Sequence, residues 1–334
     1  MTELKIVPFQ HAVVRDLAWV MFSPGLMKSA TDDDRLVTDE WCQQTYVEHV
    51  GKLYDLDKDP QPLLNYLSHL KSHRLGFYFE ALLAFWFEHI LLPVRFQKNV
   101  PVFRKLKKTG QQTLGEFDFL FSQRHQSLLQ HWEVTVKYYL YQKNTAGNVQ
   151  WIGPAGKDRL DIKLTRIFDH QLGLSETPEG HAVVSSLGFP GVHAAAFIKG
   201  YLFYPADGEE GSLAEALPVT PHFLPELSSS HLKGWWLRHG KADRPKRFSD
   251  SKWLLLPKLH WLSAAWCTNP SDELLDDDDM THYCERHFEN RQSSLLLAEM
   301  QPGSDGWNEV SRGFVVSHSW PHIPGHNVRP GVRG

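Results

Sequence analysis

Two segments in which apolar and polar residues alternate carry the side chains best suited to chemistry in this chain. Alternation predicts β-strands, whose successive side chains point to opposite faces. The first segment places Glu116 and Asp118 on one face and three phenylalanines on the other. The second places Glu133 and Lys137 on one face, opposite a set of apolar side chains. Because the flanking residues are strongly apolar, we expect these acids and the lysine to line a cleft.

A third acid, Glu80, lies within an apolar segment, 75–92, that is predicted to be a buried helix. Glutamate is seldom fully buried without a partner, because removing its charge from water costs several kcal/mol. Glu80 therefore needs a cation, a metal ion or a proton. Clustered carboxylates bind hard cations through oxygen, so Asp118, Glu133 and Glu80 are the candidate ligands of Mg²⁺ or Mn²⁺.

These side chains together are typical of metal-assisted phosphodiester hydrolysis. A bound ion polarises the phosphate and generates hydroxide, and a lysine beside it stabilises the developing negative charge or orients the water. Glu80, Asp118, Glu133 and Lys137 are therefore the candidate catalytic residues. Without a metal, the same carboxylates would repel one another and their pKa values would shift.

The register of the two strands decides whether the acids meet. If the turn between the strands centres between Arg124 and His125, Asp118 faces His131 and shares its face with Glu133. A slip of one residue would move every side chain of a strand to the other face of the sheet. The predicted meeting of the two acids therefore depends on this register.

Simpler interpretations of the same residues stay open. Glu133 and Lys137 could form an exposed ion pair on a strand surface, which is worth roughly 0–1 kcal/mol. Arg74 or a backbone donor could satisfy Glu80. Glu116 could be a solvated residue at the start of its strand or a metal ligand.

Basic residues concentrate locally and predict a polyanionic partner. A predicted helix over 158–172 aligns three cations at spacings of four and three, on one stripe of its surface. The region between Pro93 and Gly115 holds six lysines and arginines and no acid. The candidate contacts to nucleic acid, predicted to be DNA, are Arg159, Lys163, Arg166, Lys105 and Lys107.

A further basic segment, 233–253, interleaves lysines and arginines with three tryptophans. This composition suits neutralisation of phosphates and stacking on bases. The alternative is a lobe whose tryptophans form a core and whose cations lie in water, just as the cations of the 158–172 helix could form a solvated face. The net charge of −4 shows that any basic surface must be local.

The elements that must position these residues predict an α/β protein. The pattern predicts a helical N-terminal cover over residues 1–72. It predicts an α/β core, with a mixed sheet flanked by helices, over residues 73–205. The order of elements in this core is helix, three strands, helix, strand. Residues 206–334 read as a β-rich C-terminal lobe that ends in a flexible tail.

Composition narrows the class of protein. Three cysteines that lie far apart predict free thiols rather than a disulfide framework, which favours the cytoplasm. The most apolar segment is interrupted by Glu80, Glu88 and His89, so we expect no membrane span. The sequence carries no nucleophile elbow, phosphate-binding Walker loop or dinucleotide fingerprint. The pattern does not predict an oligomeric state.

The acids and the lysine make the segment from about residue 74 to 204 resemble the PD-(D/E)XK superfamily of nucleases, and more closely a bacterial family of unknown function within it. The resemblance covers under half of the chain. It implies a restriction-endonuclease-like fold, with Glu80 on a helix, Asp118 on a strand, and an acid and lysine on the next strand. It also implies basic or glutamine residues on the following helix, for which Arg159, Lys163 and Gln171 are the candidates.

One departure from the superfamily pattern concerns the second strand. The pattern has one residue between acid and lysine, and Thr135 stands where the acid is expected. Glu133 keeps the same face but lies roughly 6–7 Å further along the strand. Either Glu133 reaches the metal, or Glu116 or Glu80 supplies the second carboxylate, or the site binds without cutting. The predicted function is a metal-dependent nuclease. The alternatives are a degenerate nucleic-acid-binding protein and an interaction protein with no nucleic-acid role.

Overall fold

A mixed sheet of 11 strands organises the chain in a computed structural model. The structure describes residues 9–28, 35–106, 110–124, 127–144, 146–206, 226–240, 244–268 and 273–321. Helices pack on both faces of the sheet. The predicted α/β class, with a mixed sheet flanked by helices, is therefore confirmed.

The N-terminal helices follow the stop and start signals of the sequence. Thr38 caps the second helix by accepting a hydrogen bond from the Trp41 amide at 3.2 Å, and a proline lies at the start of the third. The fourth helix passes into a π-helical segment, Trp86–Leu91, and ends at Leu92 in the left-handed conformation. The helices are α1 Ala12–Phe22, α2 Asp39–Lys58, α3 Gln61–Ser68 and α4 Leu75–Phe85.

The central strands and the helices between them form the part of the fold that positions the acids. The first strand, β1 Met27–Lys28, belongs to a separate two-stranded sheet. The strands that follow are β2 Arg95–Lys105, β3 Gln111–Ser122, β4 Leu129–Lys143, β5 Val149–Ile152 and β6 Val192–Pro205. Helix α5 Leu160–Arg166 continues as a π-helical segment, Ile167–Gln171, and a 3₁₀ turn, Leu172–Glu176, and helix α6 Pro178–Ser186 then leads to β6.

Among the described residues, the C-terminal part adds one helix and seven short or medium strands. They are β7 Glu226–Leu227, β8 Leu232–Arg238, β9 Lys252–Leu255, β10 Trp266–Cys267, β11 Leu274–Leu275, α7 Asp277–Asn290, β12 Leu295–Gly303 and β13 Gly306–Val316. The main sheet runs in the order β11-β9-β12-β13-β8-β6-β4-β3-β2, and its other two strands, β5 and β10, pair with β4 and β13. Hydrogen bonding therefore crosses the predicted boundary at residue 205, and the division into three regions stays a prediction.

The two faces of the sheet are buried by different helices. Trp132, Phe119 and Phe197 pack in the core that contains residues of α1 to α4, whereas Tyr139 and Ile198 pack with residues of α5. Since Trp132 and Glu133 are consecutive on β4, their side chains point to opposite faces. Glu133 therefore lies on the face of the sheet that packs against α5.

The tryptophans of segment 233–253 are core residues. Trp235, Trp236 and Trp253 are 9%, 5% and 0% exposed. Their rings are therefore covered and cannot serve as stacking platforms for bases. Of the two interpretations of this segment, the structure supports the one in which its aromatic residues stabilise the C-terminal strands.

The predicted register of β3 against β4 is wrong by two residues. Leu120, not Asp118, lies opposite His131, and the pairing continues with Phe119 opposite Trp132. An offset of two residues, unlike an offset of one, does not by itself move a side chain to the other face of the sheet, so the acids still meet. The predicted grouping of the phenylalanines also fails at Phe117, which packs in a different core from Phe119.

Candidate functional site

Asp118 and Glu133 lie side by side where β3 separates from β4. The backbone pairing of the two strands ends at Phe119 and Trp132. Beyond that point, the Asp118 carboxylate accepts a hydrogen bond from the Val134 amide through Oδ2 at 2.9 Å. The Asp118 side chain thus accepts a hydrogen bond from a backbone amide that would otherwise donate to a carbonyl of a neighbouring strand. This contact places the Asp118 carboxyl beside that of Glu133, with which it interacts directly.

Glu133 is almost completely buried. Its side chain is 2% exposed, and its Oε1 accepts a short hydrogen bond from the Gln171 amide. The Oε2 atom has no hydrogen-bond partner among the described residues. Burial, and then the charge of Asp118, raise the pKa of Glu133 to about 9. Glu133 therefore keeps a proton at neutral pH unless a cation takes its place.

Glu80 reaches the same cluster from α4. Burial, and then the charges of Asp118 and Glu116, raise the pKa of Glu80 to about 7. Asn99, whose backbone is left-handed at φ 54°, hydrogen-bonds Glu80 and donates to Glu116 Oε1 at 3.0 Å. Burial raises the pKa of Asp118 as well. Four acids thus belong to one electrostatic cluster.

Lys163 is the cation nearest to the two central acids. Its Nζ lies 4.0 Å from Glu133 Oε1 and donates to Gln171 Oε1 at 3.2 Å. Burial lowers the pKa of Lys163, and the charge of Glu133 opposes this shift. The π-helical segment after α5 places Gln171 two turns beyond Lys163, so one amide bridges the lysine and the acid.

Lys137 pairs with a different acid from those of the cluster. Its Nζ lies 2.5 Å from Asp158 Oδ2, and the Tyr139 hydroxyl donates to the same oxygen at 3.3 Å. Four residues of strand, roughly 13 Å, separate Lys137 from Glu133. The structure therefore brings Asp118 and Glu133 together and places Glu80 within electrostatic range of Asp118, but it leaves Lys137 at the edge of the site.

The predicted contacts to nucleic acid are dispersed. Arg159 forms a two-pronged pair with Asp161, at 3.1 and 2.5 Å. Arg166 is exposed and close enough to act on Glu133 electrostatically. Lys105 is exposed at the far end of β2, opposite Gln111, which is seven residues or roughly 23 Å from Asp118. Lys107 lies outside the described residues.

Two polar residues of the cluster were weakly signalled by sequence. Asn99 has no distinguishing motif, although asparagine is among the residues that tolerate a positive φ. Gln171 is a candidate only through the resemblance, which places a glutamine on this helix. Its separation of eight residues from Lys163 matches two helical turns and is the one periodic signal that could have joined them.

The cluster offers oxygen ligands for a hard cation. Within the described part of the chain, no three acidic, histidine or cysteine side chains are arranged to enclose a metal ion. Asp118 and Glu133 nevertheless present two adjacent carboxyls, one with an unpartnered buried oxygen, and Glu80 lies within electrostatic range. These donors fit Mg²⁺ or Mn²⁺, which take one or two carboxylates and keep several waters.

Comparisons with known proteins give one match. No curated protein and no solved structure matches the chain. In the described ranges, no helix is both long and apolar enough to cross a membrane. A family model described as a domain of unknown function, DUF1853, matches residues 15–316, which is most of the sequence. The chain therefore belongs to the DUF1853 family.

Proposed function

We propose that this protein is a metal-dependent nuclease that hydrolyses phosphodiester bonds of DNA. The observation that carries the proposal is the buried pair of Asp118 and Glu133. Glu133 Oε2 has no hydrogen-bond partner among the described residues, and Lys163 Nζ lies 4.0 Å from the other oxygen, Oε1. Acids with raised pKa values that share a partly buried cluster are typical of functional sites. The resemblance to PD-(D/E)XK nucleases supports the same activity. The free, separated cysteines support a cytoplasmic location.

The residues of the cluster have distinct roles in this proposal. Asp118 and Glu133 would hold Mg²⁺ or Mn²⁺, and Glu80 would assist directly or through a water molecule. When bound, the ion supplies polarisation of the phosphate and a water of lowered pKa. The Val134 amide orients Asp118, and the Gln171 amide orients Glu133. Lys163 places positive charge where a scissile phosphate would meet the two acids.

Incubation with supercoiled, linear and single-stranded DNA tests the proposal. We expect products only when Mg²⁺ or Mn²⁺ is present and none when a chelator is added. The pattern of products on the three substrates separates endonuclease from exonuclease action. A folded protein that yields no product from any of the substrates with either ion would overturn the proposed activity.

Lys163 is expected to matter more for cleavage than Lys137. Replacing Lys163 with methionine should lower the cleavage rate roughly 10²-fold, because it removes the cation that lies beside the carboxylates. Replacing Lys137 with methionine should cost less than about tenfold, since Asp158 already neutralises this lysine. Initial rates at saturating Mg²⁺ measure both effects. An equal or larger loss in the Lys137→Met variant would contradict this assignment.

Metal affinity is expected to rise steeply with pH. Glu133 and Glu80 have pKa values raised to about 9 and about 7, so both release protons when a cation binds. Between pH 7 and pH 9 the dissociation constant for Mg²⁺ should fall by up to roughly 100-fold. Calorimetric titration in buffers of different ionisation enthalpy measures affinity and proton release together. Affinity that is constant across this range would show that the acids are already ionised.

The second candidate function is binding of nucleic acid without cleavage. Two observations favour it, namely Thr135 at the usual position of the acid and the lack of an enclosed metal site among the described residues. This function predicts salt-sensitive DNA binding that Asp118→Asn leaves unchanged. Binding measured at two salt concentrations, alongside the cleavage assay, separates the two candidates.

A further inference from the structure

A cavity lies on the face of the sheet opposite to the carboxylate pair. It has a volume of about 230 Å³, is open to solvent, and is lined by the segment 36–41 at the entry to α2 and by the adjoining ends of β3, β4 and β6. Trp132 lines this cavity, whereas Glu133, the next residue, points to the other face. The cavity is thus separate from the cluster of acids, and its occupant does not depend on the proposed nuclease activity.

Aromatic rings form the walls of the cavity. Trp41 and Phe121 both meet the Trp132 ring edge-on, with ring centroids 4.9 and 5.2 Å away. Behind them, Phe197 stacks on Trp132 at 5.1 Å with an angle of 10° between the rings. These contacts fix the orientation of Trp132, so the apolar walls are formed before any ligand arrives. Preorganised aromatic walls suit a flat ring that can stack or pack edge-on.

Polar groups of the cavity are neutral amides, a hydroxyl and one imidazole. Gln123, Gln130, Thr38 and His193 line it, and Gln130 Oε1 lies 3.0 Å from His193 Nδ1. Of the described residues that line the cavity, only His193 is ionisable. An amide offers both donors and an acceptor. This set suits a ligand whose edge carries donors and acceptors but whose net charge is zero.

We propose that this cavity binds one neutral heteroaromatic ring of the nucleobase class. The volume lies below the range of about 300–1,000 Å³ for drug-sized ligands, which limits the occupant to one or two fused rings. The ring of the ligand lies against Trp41 and Trp132, and the Gln130 amide forms hydrogen bonds with its polar edge. Apart from His193, no lining residue can form an ion pair with a phosphate or carboxylate, so charge on the ligand is expected to add little to affinity.

Titration with adenine and uracil, followed by tryptophan fluorescence and saturation-transfer NMR, tests the proposal. We expect saturable binding that weakens about tenfold in Gln130→Leu, which keeps the bulk of the side chain but removes its hydrogen bonds. Trp41→Leu should weaken binding as well. Gln112→Leu, an exposed position on β3 outside the cavity, should bind like the parent protein.

Two further measurements show whether the ring belongs to a nucleic acid or to a small molecule, and whether binding occurs in this cavity. A single-stranded oligonucleotide that binds with the same sensitivity to Gln130→Leu would show that the ring belongs to a nucleic acid. Binding of the free base alone would show a small-molecule ligand. No saturable binding by the folded protein, binding unchanged in both variants, or adenosine monophosphate binding more than tenfold more tightly than adenosine would overturn the proposal.

Discussion

Replacing Asp118 with asparagine is expected to lower metal-dependent DNA cleavage by at least about 10³-fold, because loss of a metal ligand removes several kcal/mol of transition-state stabilisation. Asparagine has nearly the same shape, and its side-chain oxygen can still accept the Val134 amide. The fold at the end of β3 should therefore persist while the negative charge is lost. Initial cleavage rates and Mn²⁺ affinity, measured on the same preparations, report the effect.

A matched control makes this result specific. Asp169 is an exposed aspartate on the π-helical segment after α5, and Asp169→Asn removes the same charge from an exposed position. We expect cleavage by this variant to stay close to that of the parent protein. Cleavage by Asp118→Asn at the parental rate, with the parental dependence on metal, would show that Asp118 is not a ligand. Cleavage lost equally in both variants would point to long-range charge instead.

Replacing Glu133 with glutamine is expected to stabilise the folded protein in mildly alkaline solution while it abolishes cleavage. In the folded state the pKa of Glu133 is raised to about 9, above the ordinary value of 4.5. Above pH 4.5 the unfolded chain loses this proton and the folded chain keeps it, so folding becomes less favourable as pH rises towards 9. Glutamine is neutral throughout and removes this cost.

The size and direction of this effect follow from linkage. Each pKa unit corresponds to about 1.4 kcal/mol, and pH 8 lies about 3.5 units above the unfolded pKa. A gain of up to about 5 kcal/mol in the free energy of unfolding is therefore expected at about pH 8. The gain should vanish as pH falls towards 4.5, where both states hold the proton. Urea unfolding of the parent, Glu133→Gln and the exposed control Glu289→Gln measures it. Equal or lower stability of Glu133→Gln at about pH 8 would show that Glu133 is ionised in the folded chain.

Stability gained by loss of an acid is informative about function. A buried carboxyl that destabilises the fold persists in a protein when it serves another purpose, since glutamine would fill the same space at lower cost. The orphan oxygen of Glu133 is the structural sign of this conflict. Cleavage and stability are therefore expected to change in opposite directions at this one position.

The amino-acid sequence by itself determined the elements that hold the acids. Alternation defined β3 and β4, because side-chain direction on a strand repeats every two residues whatever the surroundings. The apolar segment of α4 also determined that Glu80 would need a cation, a metal ion or a proton to offset its burial. Its pKa is raised to about 7, and burial is the largest cause. These inferences depend on local geometry and on desolvation, both of which act at short range along the chain.

Tertiary structure alone decided which residues meet. The register between β3 and β4 differs by two residues from the one that turn symmetry predicts, and in this register Phe119, Phe121 and Trp132 all pack on the ring of Phe87, far away in sequence. Lys137 forms its ion pair with Asp158 rather than with Glu133, since α5 begins at Leu160 and Asp158 therefore lies within reach of the strand. Which long side chains form a pair depends on distances across the sheet. Those distances cannot be predicted from the spacing of residues along one strand.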